Sequence, residues 1–447
     1  MRSVRLVPPA ETALPLAMLR VAIAVIALVA TEPEVARVVA SRPRALWAVP
    51  EGLAALVALA PPTPTSVDVA IAALRVSAAL ALIGLFTRAA CAALALAMFY
   101  VFGVAQLAGA AMHDMHLVWF ATVCALAPSG RALSLDAWSA GASVAGPAAT
   151  RGDAISWAVG ACRLWLGLVY FFPGVHKLAR GGLAWVASDN LRNQIYFKWF
   201  EMGGGAPWPR VDRFPALMHL AAAGVVAFEL SMPLLVLWRR TRLLAFALAL
   251  SFHVLAGHFM KVPYPALAVC AVVLLPGERI RAWWVSVSRR VRERSRARAE
   301  PSAPERGAAR PSPLLVLVSG VMTVAIVVQG ARGQTESFPF ACYPTFASIA
   351  PDQIVDLAVD VTSADGSTRT FRMPRPRSQD AWGFVWRTAG LYGDALDPAR
   401  LRAFERLVAP RAPTATRVAW VREAYDVRPE AYGAPPVRRD VMFTEAR

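Results

Sequence analysis

Apolar residues in this chain gather in long unbroken runs, and polar residues gather between them. A run of roughly 20 apolar residues, wound as a helix, crosses a hydrocarbon core of about 30 Å. Nine such runs lie over about 13–30, 68–86, 88–109, 115–128, 155–173, 215–238, 242–259, 261–276 and 313–330. They predict an all-α polytopic membrane helix bundle of about nine spans. Residues 1–276 are read as the transmembrane bundle, 277–312 as a basic linker and 313–334 as the last transmembrane helix. Beyond residue 335 shorter periods take over. "VDLAVDV" alternates at Val355, Leu357, Val359 and Val361, an "ADGS" turn follows, and "RTFRM" completes a hairpin. "LDPARLRAFERLV" offers Asp397 as N-cap, Pro398 at the first helical position and Leu401, Phe404 and Leu407 on one face. "TRVAWVREAYDV" reads as a further strand. Residues 335–447 are therefore expected to form a small α+β domain.

Composition agrees with the runs. The chain is 57% hydrophobic, more than a soluble domain carries. Its net charge of +17 raises the question of nucleic acid. The positive charge sits in short connections between apolar runs, which is the pattern of cytoplasmic loops, so nucleic acid is set aside as a partner. "MRSVR" precedes the first run, Arg88 and Arg131 lie in turns, "WRRTR" carries Arg239, Arg240 and Arg242, and 277–312 holds ten Arg against four Glu. Counted over nine spans, these segments share one side, which places the N-terminus in the cytoplasm and the C-terminal domain outside. The Pro-rich, cationic stretch "RVRERSRARAEPSAPERGAARPSP" reads as a flexible linker beside anionic lipid. The first run lacks a clean small-residue cleavage site and is read as an anchor. Cys91, Cys124, Cys162 and Cys270 lie inside apolar runs and Cys342 outside them, with neither metal-ligand spacing nor a disulfide framework.

Charged groups inside a membrane are expensive, and they pair or mark function. Arg20, Arg75, Arg163 and Glu229 fall within the runs. Glu229 is the carboxylate available to neutralise an arginine, and the others are read either as struts between helices or as contacts to a ligand oxygen. "AMHDMHLVWF" puts His113 and His116 on one helix face, with Asp114 beside them. Two imidazoles and one carboxylate in sequence are weak evidence for a site that needs three or four convergent ligands, so no metal is assigned. "SFHVLAGHFMK" carries His253, His258 and Lys261. Five of the six histidines and all three lysines map to one membrane face, a gathering of titratable groups like that at an active-site mouth.

The string "FFPGVHKLARGGLAW" sharpens that observation. Arginine is the general cation here, 44 residues against three lysines, Lys177, Lys198 and Lys261. Arginine keeps its proton, whereas a buried lysine can lose it and act as a base. Lys177 lies where an apolar run ends, a place equally suited to an ordinary snorkelling lysine.

The order of these strings resembles the HTTM-domain family and its relative, vitamin K-dependent gamma-glutamyl carboxylase. Gly174, Lys177, Leu178 and Trp185 match one family stretch, and "HDMHLVW" matches a segment ending in a histidine at His116. "APSGRALSLDAW" matches the loop with Ser134, Leu135 and Asp136, and "SFHVLAGHFM" puts His253 at the later histidine. The resemblance covers about residues 10–350. It implies a multi-pass protein of a bacterial-type inner membrane that uses reduced vitamin K or menaquinol, with O2 and CO2 as co-substrates. Lys177 takes the position of the base that deprotonates the quinol and His116 that of an assisting histidine. His176, Trp185, His253, Arg163 and Glu229 are taken as candidates for substrate or quinone binding. In that chemistry oxygen adds to the quinol, a strong base forms and removes a glutamate γ-proton, CO2 captures the carbanion, and the quinol leaves as its epoxide. Membrane lipid, a lipid-soluble quinol and a peptide or small glutamate-like molecule are the implied partners.

Three departures are visible: His176 replaces a second lysine, Asp114–Met115 replaces an Asn pair, and the outward domain is small. Epoxidation therefore rests on more of this chain than carboxylation does. Two other readings stand beside the enzyme: a non-enzymatic membrane anchor that binds lipid or a partner, and a DoxX-like quinone-linked redox subunit.

Overall fold

A computed structural model describes residues 11–29, 33–47, 52–53, 55–107, 113–140, 152–280, 310–333, 337–340, 345–372, 402–403, 406 and 415–446. The helices are α1 (Leu14–Val29), α2 (Glu34–Ala40), α3 (Ala55–Leu59), α4 (Pro64–Ile83), α5 (Thr87–Gln106), α6 (His116–Leu126) and α7 (Leu135–Ser139). They continue as α8 (Asp153–Gly181), α9 (Ala184–Ala187), α10 (Asn190–Glu201), α11 (Pro215–Leu237), α12 (Arg242–Phe259), α13 (Pro265–Cys270) and α14 (Pro313–Arg332). Among the described residues six are long and apolar enough to cross a membrane: α4, α5, α8, α11, α12 and α14. The bent pair α1 and α2 makes a seventh if it counts as one span.

The other apolar runs are helical but short. α1 has 16 residues and α6 has 11. α6 stops because Ala127 is extended (ψ 163°), as the residue before Pro128 must be. α13 has six residues, tightens into a 3-10 turn to Leu274, and ends where extended Leu275 precedes Pro276. α6 is largely buried and α13 partly so, with Trp119, Phe120, Cys124 and Cys270 inside the core. Apolarity there reflects protein packing as much as lipid.

Two groupings organise the bundle. α4 packs on α1 and α5, and α5 on α6; α8 packs on α11 and α14. Toward the C-terminus β1 (Gln353–Ser363), β2 (Thr368–Arg372), β3 (Ala415–Asp426) and β4 (Arg438–Ala446) form an antiparallel sheet in the order β2-β1-β3-β4. The expected hairpin and following strand are present, with Val359 opposite Phe371 and Trp420. β4 was not expected, since "RRDVMFTEA" begins with three charges. The expected 397–408 helix lies mostly, and the basic linker largely, outside the described residues, as does Cys342.

The sheet shares a core with the bundle. Ile354, Tyr425 and Val427 pack with Trp185, Ile195 and Trp199. These three come from α9 and α10, in the polar stretch between residues 182 and 214 that the apolar runs left blank.

Candidate functional site

The site is built on one face of α8. Gly167, Tyr170, Gly174 and Lys177 recur at helical spacing on that face. A Cβ at Gly174 would stand 2.9 Å from the Glu229 Cβ, and one at Gly167 would stand 2.9 Å from Val236 Cγ2. The bare glycines let α11 approach, and that approach delivers Glu229 to Lys177. Lys177 Nζ donates to Glu229 Oε1 at 2.7 Å and to the Thr345 carbonyl at 3.1 Å. Both side chains are buried, at 4% and 5% exposure. The Trp185 ring lies 5.4 Å from Nζ.

A strap of main chain covers this end. Thr345 O faces Lys177, and Phe346 O accepts the Trp185 indole N–H at 2.8 Å. Ser348 O accepts from Gln194 and Ala350 O from Asn193, while Ala350 N donates to Asn190 Oδ1 at 2.8 Å. Phe346 holds φ at 57°, a conformation a bulky residue adopts only when its surroundings enforce it.

Two turns down α8, the Tyr170 hydroxyl and His253 Nε2 are 2.7 Å apart. The His253 ring lies 6.1 Å from Tyr264, whose ring stands edge-on 5.3 Å from His113. His116 Nδ1 lies 3.2 Å from the His113 carbonyl, and its ring meets Phe120 edge-on. Phe228, beside Glu229, packs on Tyr170 at 5.2 Å and stacks on Phe252 at 5.1 Å. His113 lies in the turn before α6 and is exposed. Three polar atoms here are buried without a hydrogen-bond partner among the described residues, Glu229 Oε2, His116 Nε2 and His253 Nδ1. Among the described residues no three metal-ligating side chains converge.

The expected site residues thus divide. Lys177, Glu229 and Trp185 meet directly, and Glu229 neutralises Lys177, correcting the expectation that it would serve an arginine. His253 and His116 belong to the aromatic group two turns below. His176 turns to a different face: its Nε2 lies 2.7 Å from Gly330 O, and a Cβ at Gly333 would strike its ring at 2.6 Å. It ties α8 to α14. Arg163 is fourteen residues from Lys177, about 21 Å along the helix, and pairs with Glu11 at 2.5 Å. Burial works to raise the Glu11 carboxyl, but Arg163 and Arg242 together hold it below the usual range. Arg20 donates to the carbonyls of Ser129, Ala132 and Leu133. Arg75 stands exposed on the outer face of α4 instead of facing the interior.

The loop matched at Ser134 and Asp136 is a clasp. Ser134 Oγ caps α7, and Asp136 accepts from Phe86 N, Thr87 N and the Thr87 hydroxyl at 2.7–2.9 Å. Sequence reasoning missed Tyr170, Tyr264, Glu11 and the carbonyls of the strap. Tyr170 had a signal, since it lies seven residues before Lys177 and so on the same face.

This arrangement, a buried amine and carboxylate set above an aromatic, imidazole-bearing layer, falls mostly within the stretch that matches a known family. The HTTM domain matches residues 10–276. The chain belongs to the HTTM-domain family. That family is associated with vitamin K-dependent carboxylase-like proteins. No curated protein and no solved structure matches the chain. The HTTM match takes in α1 to α13 and stops before α14, the strap and the sheet. One residue that holds Lys177, Thr345, therefore lies outside the HTTM segment.

Proposed function

We propose that this HTTM protein is an integral-membrane enzyme of the vitamin K-dependent carboxylase-like type, in which Lys177 is the base toward a reduced quinone. The observation that carries the reading is the Lys177–Glu229 pair, buried and joined at 2.7 Å. α8 has 29 residues, about 43 Å, more than the hydrocarbon core requires. Lys177 lies just beyond its apolar run, where a lipid-soluble quinol enters sideways and a polar substrate comes from water.

The residues present fit such a quinol. Glu229 Oε2 and His253 Nδ1 are orphaned polar atoms suited to hydroxyl groups. Tyr170, Phe228, Phe252 and Trp185 supply apolar and aromatic surface around them. Reduced vitamin K or menaquinol, once bound, supplies the electrons and the oxygen chemistry. The chain's part is proton handling. The pair is neutral overall whichever partner holds the shared proton, which limits its desolvation cost. Moving that proton to Glu229 leaves the Lys177 amine with a free lone pair. Thr345 O and the Trp185 ring keep Nζ aimed.

In this reading the chain crosses a bacterial-type cell membrane about nine times, with the shorter helices sheltered inside the bundle. The Arg-rich connections face the cytoplasm, and the Lys177 end and the sheet face outward. O2 is a co-substrate, and CO2 and a glutamate-bearing peptide or small molecule join if carboxylation is coupled.

The test is to supply the purified protein with reduced vitamin K, O2, bicarbonate and a glutamate peptide, and to assay epoxide and carboxylated peptide separately. Epoxide is the expected product. Epoxide alone restricts the activity to quinol oxidation, and a folded protein that makes neither product overturns the reading.

A further inference from the structure

The opposite end of the α8–α11 pair carries a second feature that the proton chemistry does not use. A groove of about 520 Å³ runs between α8, α11 and α14, with Arg242 at the start of α12 closing it. That volume is in the range of small-ligand sites. Its walls are apolar, with Leu164, Val236 and Val324 among them. The polar wall atoms are already engaged: Ser319 Oγ accepts the Trp157 indole N–H and Thr323 Oγ1 that of Trp165, each at 2.8 Å. Gly320 faces open space, with nothing within 4 Å of a Cβ built there.

The charge at the groove's end is unbalanced. Arg163 and Arg242 share one carboxylate, Glu11, at 2.5 and 2.7 Å. Arg163 Nη2 is buried without a hydrogen-bond partner among the described residues, and the Arg163 side chain is 2% exposed. Arg242 Nη2 makes only a 3.5 Å approach to Leu237 O. Two guanidiniums against one carboxylate leave a net positive charge at the end of an apolar channel, with Arg242 as the accessible one. Arginine suits a phosphate oxygen because its planar fork matches that geometry.

We propose that this groove holds one acyl chain of an anionic phospholipid, with its phosphate on Arg242 and the buried charge of Arg163 behind it. The site serves as a lipid anchor at the Arg-rich end of the bundle, independent of the Lys177 chemistry. Arg240, in the adjoining turn, extends the same positive surface, while Arg239 is paired with Glu278 at 2.5 Å. A neutral, apolar occupant would use the channel and leave the guanidinium donors unanswered.

The experiment uses the full chain in detergent, with phosphatidylglycerol or phosphatidylcholine of identical acyl chains added, and native mass spectrometry counting retained lipid. Retention of phosphatidylglycerol is expected to exceed that of phosphatidylcholine by about fivefold, the effect of one net cation near lipid phosphate. Arg242→Gln is expected to erase the preference. Gly320→Leu and Val324→Trp, which fill the channel from different turns of α14, are expected to lower retention of both lipids. The two fillings guard against one of them misfolding, and thermal unfolding identifies the folded variants. Equal retention of the two lipids by the unaltered protein overturns the proposal, as does undiminished retention by a folded channel-filling variant.

Discussion

The two ends of α8 each bury a cation against a carboxylate, and they do so with different residues. At one end Lys177 meets Glu229, a carboxylate on a neighbouring apolar helix. At the other Arg163 meets Glu11, which precedes α1 and also serves Arg242. The arginine end cannot release a proton, so its chemistry is limited to clamping helices and holding anions. The lysine end can exchange its proton with a carboxylate. An evolving membrane protein that needed only a clamp could have used arginine at both places, as it does almost everywhere else in a chain with 44 Arg and three Lys.

This contrast can be broken experimentally. The largest effect is expected from Lys177→Arg, which keeps the charge and removes the base. Quinol turnover falls by a hundredfold or more, in line with the loss of a general base, while thermal unfolding shows an intact fold. A strut predicts that arginine is tolerated. Next comes Glu229→Gln, which strands an ammonium in the core and costs about 3 kcal/mol in denaturant unfolding. Gly174→Ala pushes the new methyl against Glu229 Cβ, at a cost of about 1–3 kcal/mol, and lowers turnover by loosening the 2.7 Å bond. Asn190→Ala frees the Ala350 amide of the strap and costs about 1–2 kcal/mol, with turnover reduced because Thr345 loses its seat.

The smallest effect concerns the sheet. Burial works to raise the Glu423 carboxyl, and hydrogen bonds from Arg372, Tyr425 and Arg439 more than reverse it, so its pKa lies below the ordinary glutamate value. A depressed carboxylate stabilises the fold above its unfolded pKa, near 4.3, and that contribution is lost as pH falls through the lower folded value. Acid titration followed by amide hydrogen exchange of β3 should show Glu423→Gln with a flatter acid limb than the unaltered chain.

Much of the architecture was legible from apolar runs, because lipid-facing helices must be apolar along their length. The runs could not distinguish a long lipid-facing helix from a short one packed inside the bundle. α6 and α13 are as apolar as their neighbours, and prolines at 128 and 276 mark where they stop. Lys177, Glu229 and Trp185 were each legible as site candidates, but their meeting was not, since it depends on how closely α11 approaches Gly174. The strap was illegible for a different reason. It holds the site through the carbonyls of Thr345 and Phe346, and a carbonyl leaves no trace in side-chain identity. α10 lies in a polar stretch, and its apolar residues serve the sheet's core instead of the membrane.

The most direct measurement replaces the pair by apolar residues of similar size, Lys177→Met with Glu229→Leu, and follows conversion of reduced vitamin K to its epoxide. Removing both charges together avoids stranding either one, so the double variant is expected to unfold at or above the temperature of the unaltered chain. A stable protein with no epoxide formation is expected. A stable double variant that still makes epoxide at the unaltered rate would contradict it and leave the pair as a clamp.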